Sequence, residues 1–235
     1  MELHNNRKFD IAFWTGYYDD DEDDYFEWAS NKAYLDMNRT MTFSKSEKNE
    51  KEIAEERDAW RKQGTDIIRK RFKLINDNFD KWHKETCDKL IAFYNEGDKL
   101  IERNTKNKTS LTYGQAQKWL NMTIKYIWLL DRFEQLNYDD HEIVAKYEEF
   151  FHIPLDSYIL RYVARQNKSK TKKFDEKVSD NGLNIRIDFK YAWSKINDYS
   201  SYIEYQKTLC ANLKDCKIPL EWELIHWHKA LKYYG

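Results

Sequence analysis

Residues 111–131, LTYGQAQKWLNMTIKYIWLLD, constrain the fold more than any other stretch. Wound into a helix, Trp119, Leu120, Met122, Thr123, Ile124, Ile127, Trp128 and Leu130 leave little polar face. A helix that is apolar nearly all round belongs in the middle of a core, so other helices must surround it. Lys118 and Lys125 stand seven residues apart within it. That is about two turns, which puts both on one face. Lysine is seldom buried unpaired. The plain expectation is that both stems lie along apolar surface and both ammonium groups reach water.

The rest of the chain supplies the surrounding helices. Among 235 residues there are only six Gly and two Pro, and Asn181-Gly182 is the sole hairpin-type dipeptide. That scarcity argues for an all-α fold and against a sandwich or barrel. Apolar periodicity predicts a helix over 46–73, capped by Ser46, with Ile53, Trp60, Ile67, Ile68 and Leu74 inward and Gly64 as a break or bend. A second helix is predicted over 79–95 with Trp82, Leu90, Ile91 and Tyr94 inward, and a third over about 139–150. A helix starting at Asp156 runs to about Arg165, and two more follow Asp188, the last beginning at Pro219. The basic NKSKTKK stretch and the Asp180-Asn181-Gly182 turn read as a linker. Residues 1–45 read as an acidic N-terminal segment able to pack on a helical domain spanning 46–235. Its YYDDDEDD run reads as a solvated arm.

The formal net charge of −1 excludes a global basic field. Residues 161–173 nonetheless carry six bases and no acid, a local surface suited to phosphate. Three widely spaced cysteines, Cys87, Cys210 and Cys216, fit a reducing compartment and a cytoplasmic protein. No apolar run reaches membrane-spanning length. Spacing gives no metal site: His226 and His228 are two apart on a helix and face different ways, and His141 and His152 lack partners nearby in sequence. No cofactor fingerprint is present, and none is expected. A monomer is the favoured state.

The segment HIPLDSYILRYVAR, residues 152–165, raises the sharpest chemical question. Asp156 stands where a helix N-cap should be, accepting from free backbone N–H groups, which favours its ionised form. It is then either a cap alone or a fixed anion that can stabilise a cation or activate water. Taken with GQAQKWLNMTIKY, the segment Ile153-Pro154-Leu155-Asp156 resembles the core of the helix-hairpin-helix DNA glycosylase superfamily, nearest its archaeal 8-oxoguanine glycosylase-like branch. The resemblance covers about residues 111–166. In that family a hairpin ending in Gly leads into a helix, and an aspartate caps a later helix and is essential. Here the hairpin is degenerate, Ser110-Leu111-Thr112-Tyr113-Gly114, and Lys118 stands four residues after the Gly where the family lysine stands two after.

The resemblance implies a two-lobed helical architecture, with hairpin and catalytic helices at about 105–166. It also implies a DNA partner, duplex or single-stranded, from which a modified or damaged base is flipped and excised. The base would be oxidised, alkylated or a phage-type hypermodified pyrimidine, so repair and antiviral defence both remain open. Asp156 would stabilise the sugar cation or activate water, and Lys118, with Lys125 as the alternative, would be a Schiff-base nucleophile giving lyase activity. Amides around Thr112, Tyr113, Gly114 and Gln115 would grip phosphate. Arg161, Arg165, Lys168 and Lys170 would add salt-sensitive attraction. Trp119, Trp128, Tyr158, Trp222 and Trp227 are candidates for the base pocket, most of them destined for the core. The competing expectations are a non-catalytic DNA-binding module on the same fold and a helical protein-interaction module in which Asp156 is only a cap.

Overall fold

The computed structural model describes residues 17, 24–43, 50–96, 100–102, 109–170, 193–211, 213 and 216–234. Among them stand eight α-helices: α1 (Tyr25–Met37), α2 (Glu50–Phe72), α3 (Phe79–Asn95), α4 (Tyr113–Arg132), α5 (Tyr138–Tyr147), α6 (Ser157–Lys170), α7 (Tyr199–Cys210) and α8 (Pro219–Tyr234). The fold is all-α, with one small addition. Met41–Phe43 (β1) pairs antiparallel with Leu100–Glu102 (β2). Among the described residues, no helix is long and apolar enough to cross a membrane.

Helix α4 is the central rod, as its all-round apolarity requires. Thr112 and Gln115 form a reciprocal capping box at its start. Its far end closes at Glu134, whose φ of 59° lets Gln135 N–H reach back 3.1 Å to the Leu130 carbonyl. Helices α1 and α2 meet α4 at Trp119. The Trp119 indole N–H donates to the Ser30 carbonyl at 2.9 Å, and Ser30 Oγ lies 2.8 Å from Thr65 Oγ1 on α2. Tyr34 and Tyr94 pack edge-on against the same indole, at 5.1 and 5.5 Å between ring centroids.

Gly64 does not break α2, which runs through it from Glu50 to Phe72. The absence of a side chain serves packing instead: a Cβ there would lie 2.1 Å from the Trp119 ring. Leu74, expected inward, falls beyond the end of α2 and is 58% exposed. Ile68 and Phe72 carry that helix's buried contact. The α1 helix was not anticipated within the acidic N-terminal segment. Asp24 caps it through bonds to the Phe26 and Glu27 amides and pairs with Arg69 at 2.5 Å. The Ser46 cap, the 171–192 stretch holding Asn181-Gly182, and most of the YYDDDEDD run lie outside the described residues.

From α5 the chain passes through a short 3-10 turn, Glu148–Phe150, into an extended stretch, 151–155. Phe151, Ile153 and Leu155 are fully buried in it. This stretch touches α4 where the Leu155 amide lies 3.4 Å from Gln117 Oε1, and it delivers Asp156 to the start of α6. Pro154 suits such a path, since it cannot join a helix interior and biases its predecessor to extended backbone.

Candidate active site

Lys118 and Asp156 are 38 residues apart in sequence, and the fold brings Lys118 Nζ to 3.3 Å from Asp156 Oδ2. Their side chains are only 7% and 14% exposed. Asp156 is a cap and an ion-pair partner at once. Its Oδ1 accepts from the Ile159 amide at 2.8 Å. Its Oδ2 receives Lys118 and also the indole N–H of Trp227 from α8, at 3.3 Å. Burial alone would raise the carboxyl's pKa. The Lys118 ammonium, the Ile159 amide and the Lys125 ammonium outweigh that, and the group sits below the usual carboxylate range.

Lys125 lies on the same face and is also buried, with Nζ 2.5 Å from Glu223 Oε2 on α8. Both lysines therefore depart from the expectation that they reach water. Each has found a buried carboxylate, which is what makes a buried lysine tolerable. Two tryptophans frame them. The Trp193 ring lies 5.9 Å from Lys118 Nζ, and the Trp227 ring 5.9 Å from Lys125 Nζ.

The hairpin amides are arranged differently from the sequence expectation. Thr112 N–H donates to Gln115 Oε1 at 3.0 Å, Gly114 N–H to the Ile196 carbonyl at 2.8 Å, and Gln115 N–H to Thr112 Oγ1 at 3.1 Å. These donors are taken within the protein, so they are not presented to phosphate as the hairpin reading required. Tyr113 is buried, with its hydroxyl 3.4 Å from His83 Nδ1. Gly114 is where the 193–196 segment docks: a Cβ there would stand 1.9 Å from the Trp193 carbonyl oxygen. Arg161 is exposed on α6. The side chains of Arg165, Lys168 and Lys170 lie outside the described part of that helix.

The pocket tryptophans divide. Trp119 is core, pinned by Ser30. Trp128 is buried further along α4, where its indole N–H donates to Glu148 at 3.0 Å. Trp222 stacks on His226, with centroids 4.2 Å apart. Tyr158 approaches the site through an edge contact with Trp227 at 6.3 Å. Trp193 and Glu223 were not picked out for the site, and no local pattern marks them. Both come from the C-terminal third of the chain and meet α4 only in three dimensions. His141 and His152, apparently partnerless in sequence, pair with Asp131 at 2.8 Å and Asp80 at 2.9 Å. The cysteines are free thiols.

The arrangement holds an anion beside an amine, both largely buried and flanked by the Trp193 and Trp227 rings. A developing cation placed against Asp156 would be stabilised, and an uncharged Lys118 amine would stand within reach of the same atom. No protein-family model, no curated protein and no solved structure matches this chain.

Proposed function

We propose that this protein is a DNA glycosylase-like enzyme that takes a modified or damaged base out of the stack and excises it. The observation that carries the reading is the buried contact of Lys118 with Asp156, two residues singled out for this chemistry and joined across 38 positions. Cleavage of the N-glycosidic bond sends its electron pair to the departing base and leaves an oxocarbenium-like sugar. Asp156 stabilises that cation. In the monofunctional route water adds to the sugar carbon and gives its proton to Asp156. In the bifunctional route the Lys118 ammonium gives a proton to Asp156, which hands it to the departing base, and the freed amine attacks the same carbon to form the carbon–nitrogen bond that leads to a Schiff base. Lys125, held by Glu223, supports the local field in this reading, and Lys118 is the nucleophile. The two-lobed helix-hairpin-helix architecture belongs to the same reading.

A second reading has its own support. The amides of Thr112, Gly114 and Gln115 are engaged internally, and Asp156 already serves as cap and ion-pair partner. A non-catalytic DNA-binding or helical interaction module would keep the same contacts for stability alone.

The test is base release from a panel of modified duplex and single-stranded DNAs, with Asp156→Asn beside the parent after both are shown to be folded. The glycosylase reading expects release by the parent and a drop of about a hundredfold or more in the variant. Borohydride trapping of a covalent complex, lost in Lys118→Gln, marks the bifunctional route. Salt-dependent DNA binding without release would support the binding module. Neither release nor binding would leave the interaction module.

A further inference from the structure

A chain of buried hydrogen bonds behind the Lys118–Asp156 pair has one atom at its centre, the Tyr202 hydroxyl oxygen. It lies 2.8 Å from His152 Nδ1 and 2.9 Å from Asn121 Nδ2. His152 lies in the stretch that delivers Asp156 to α6. Asn121 stands one helical turn beyond Lys118 on α4. A single side chain from α7 thus touches both arms that carry the pair.

The donors and acceptors can be assigned in order. The Gly114 carbonyl can only accept, so Gln117 Nε2 donates to it, at 2.9 Å. Gln117 Oε1 then faces Asn121 Nδ2, at 2.9 Å, and accepts from the Leu155 amide at 3.4 Å. Asn121 Oδ1 is left facing His83 Nε2, at 2.9 Å, which therefore carries a hydrogen. Asn121 also donates to Tyr202. The remaining acceptor for the Tyr202 proton is His152 Nδ1. His152 is then a neutral ring with its hydrogen on Nε2, donating to Asp80 Oδ1 at 2.9 Å. The bond to His152 in turn holds Asp80 below the usual carboxylate range. Four residues along α7, Gln206 clasps Ile153 from both sides, accepting from its amide at 3.1 Å and donating to its carbonyl at 2.7 Å.

We propose that Tyr202 is a positioning residue for the Lys118–Asp156 pair, fixing the Asp156-bearing stretch through His152 and the Lys118-bearing turn of α4 through Asn121. It touches neither member of the pair and acts by setting their separation. Its kinetic consequence rests on the glycosylase reading; its structural consequence does not.

Two measurements test it. Nitrogen-15 NMR of the intact protein should find His152 with hydrogen on Nε2 and a bare Nδ1. Hydrogen on Nδ1 would leave the Tyr202 proton without that acceptor and would overturn the bridge. In Tyr202→Phe the ring stays and the oxygen goes. The carboxyl of Asp156 should then titrate closer to an ordinary aspartate as Lys118 drifts from it. On a DNA that the parent cleaves, kcat should fall about ten- to hundredfold at nearly unchanged KM. A folded Tyr202→Phe protein that is merely less stable, with Asp156 titration and kcat as in the parent, sinks the proposal. If the parent cleaves no DNA, the glycosylase reading fails and the Asp156 titration alone decides. If the variant does not fold, the His152 tautomer decides.

Discussion

Asp156 gathers Ile159 N–H on one oxygen, and Lys118 and Trp227 on the other. Removing either member of the buried pair leaves the other exposed to an apolar surround, which costs about 3–5 kcal/mol when no other partner exists. The two removals should not be equal. In Lys118→Met the carboxylate keeps two donors. In Asp156→Ala the Lys118 ammonium is left facing the Trp193 ring, and α6 loses a cap that contributes about 1 kcal/mol. Urea unfolding should therefore place Asp156→Ala well below Lys118→Met in stability. Equal losses would mean that the carboxylate's other partners contribute nothing. Gly114 makes a different kind of demand. Its neighbour across the gap is backbone, the Trp193 carbonyl, which cannot rotate aside. Gly114→Ala should cost about 1–3 kcal/mol by overpacking and should loosen Trp193 from Lys118, seen as a change in tryptophan fluorescence. Little change in either would show that the 193–196 segment can shift without loss.

At the scale of elements, Gly64→Ala separates packing from propensity. In an exposed helix interior Ala is better than Gly by about 1 kcal/mol. Here the new Cβ would press on Trp119, which is fully buried and tied to Ser30. The substitution should be net destabilising, and a raised urea midpoint would contradict the packing account. Helix α3 was legible in the sequence to the residue, because Trp82, Leu90 and Tyr94 repeat on one face; its Asn78 cap is seen only in the structure. The burial of α4 was legible from its composition. Helix α1 was not, although Phe26, Ala29, Ala33 and Met37 are spaced for one face. Its buried positions are partly small, and the acidic run before it dominates the reading. The candidate site was half legible. Asp156 follows from the turn in front of it, and Lys118 from its place in an apolar helix. The carboxylate for Lys125, the docking of 193–196 and the Tyr202 bridge depend on pairings across dozens of residues, which no local period encodes.

Across the whole molecule, the ionisable groups set two separate limits on acid stability. His83 is buried where α3, α4 and α7 meet, stacked 5.0 Å from Tyr202. Burial holds its pKa well below the ordinary 6.5, and repulsion from His152 in its charged form would add to that. The unfolded chain therefore binds a proton at a pH where the folded chain does not, and His83's share of the stability falls as the pH drops below about 6.5, while His141, held up by Asp131, acts with the opposite sign. Asp156 acts in a lower window. Its folded pKa lies below the ordinary 3.8, so its contribution is intact above that value and is lost as the pH falls through the folded pKa. Urea midpoints of a His141→Gln protein, which removes the opposing histidine, should decline from pH 7 to pH 3 first through the histidine window and again below the aspartate value. Asp156→Asn should keep the first decline and lose Asp156's share of the second. Equal stability at pH 7 and pH 5 in that His141→Gln background would mean that His83 accepts a proton without disturbing the core.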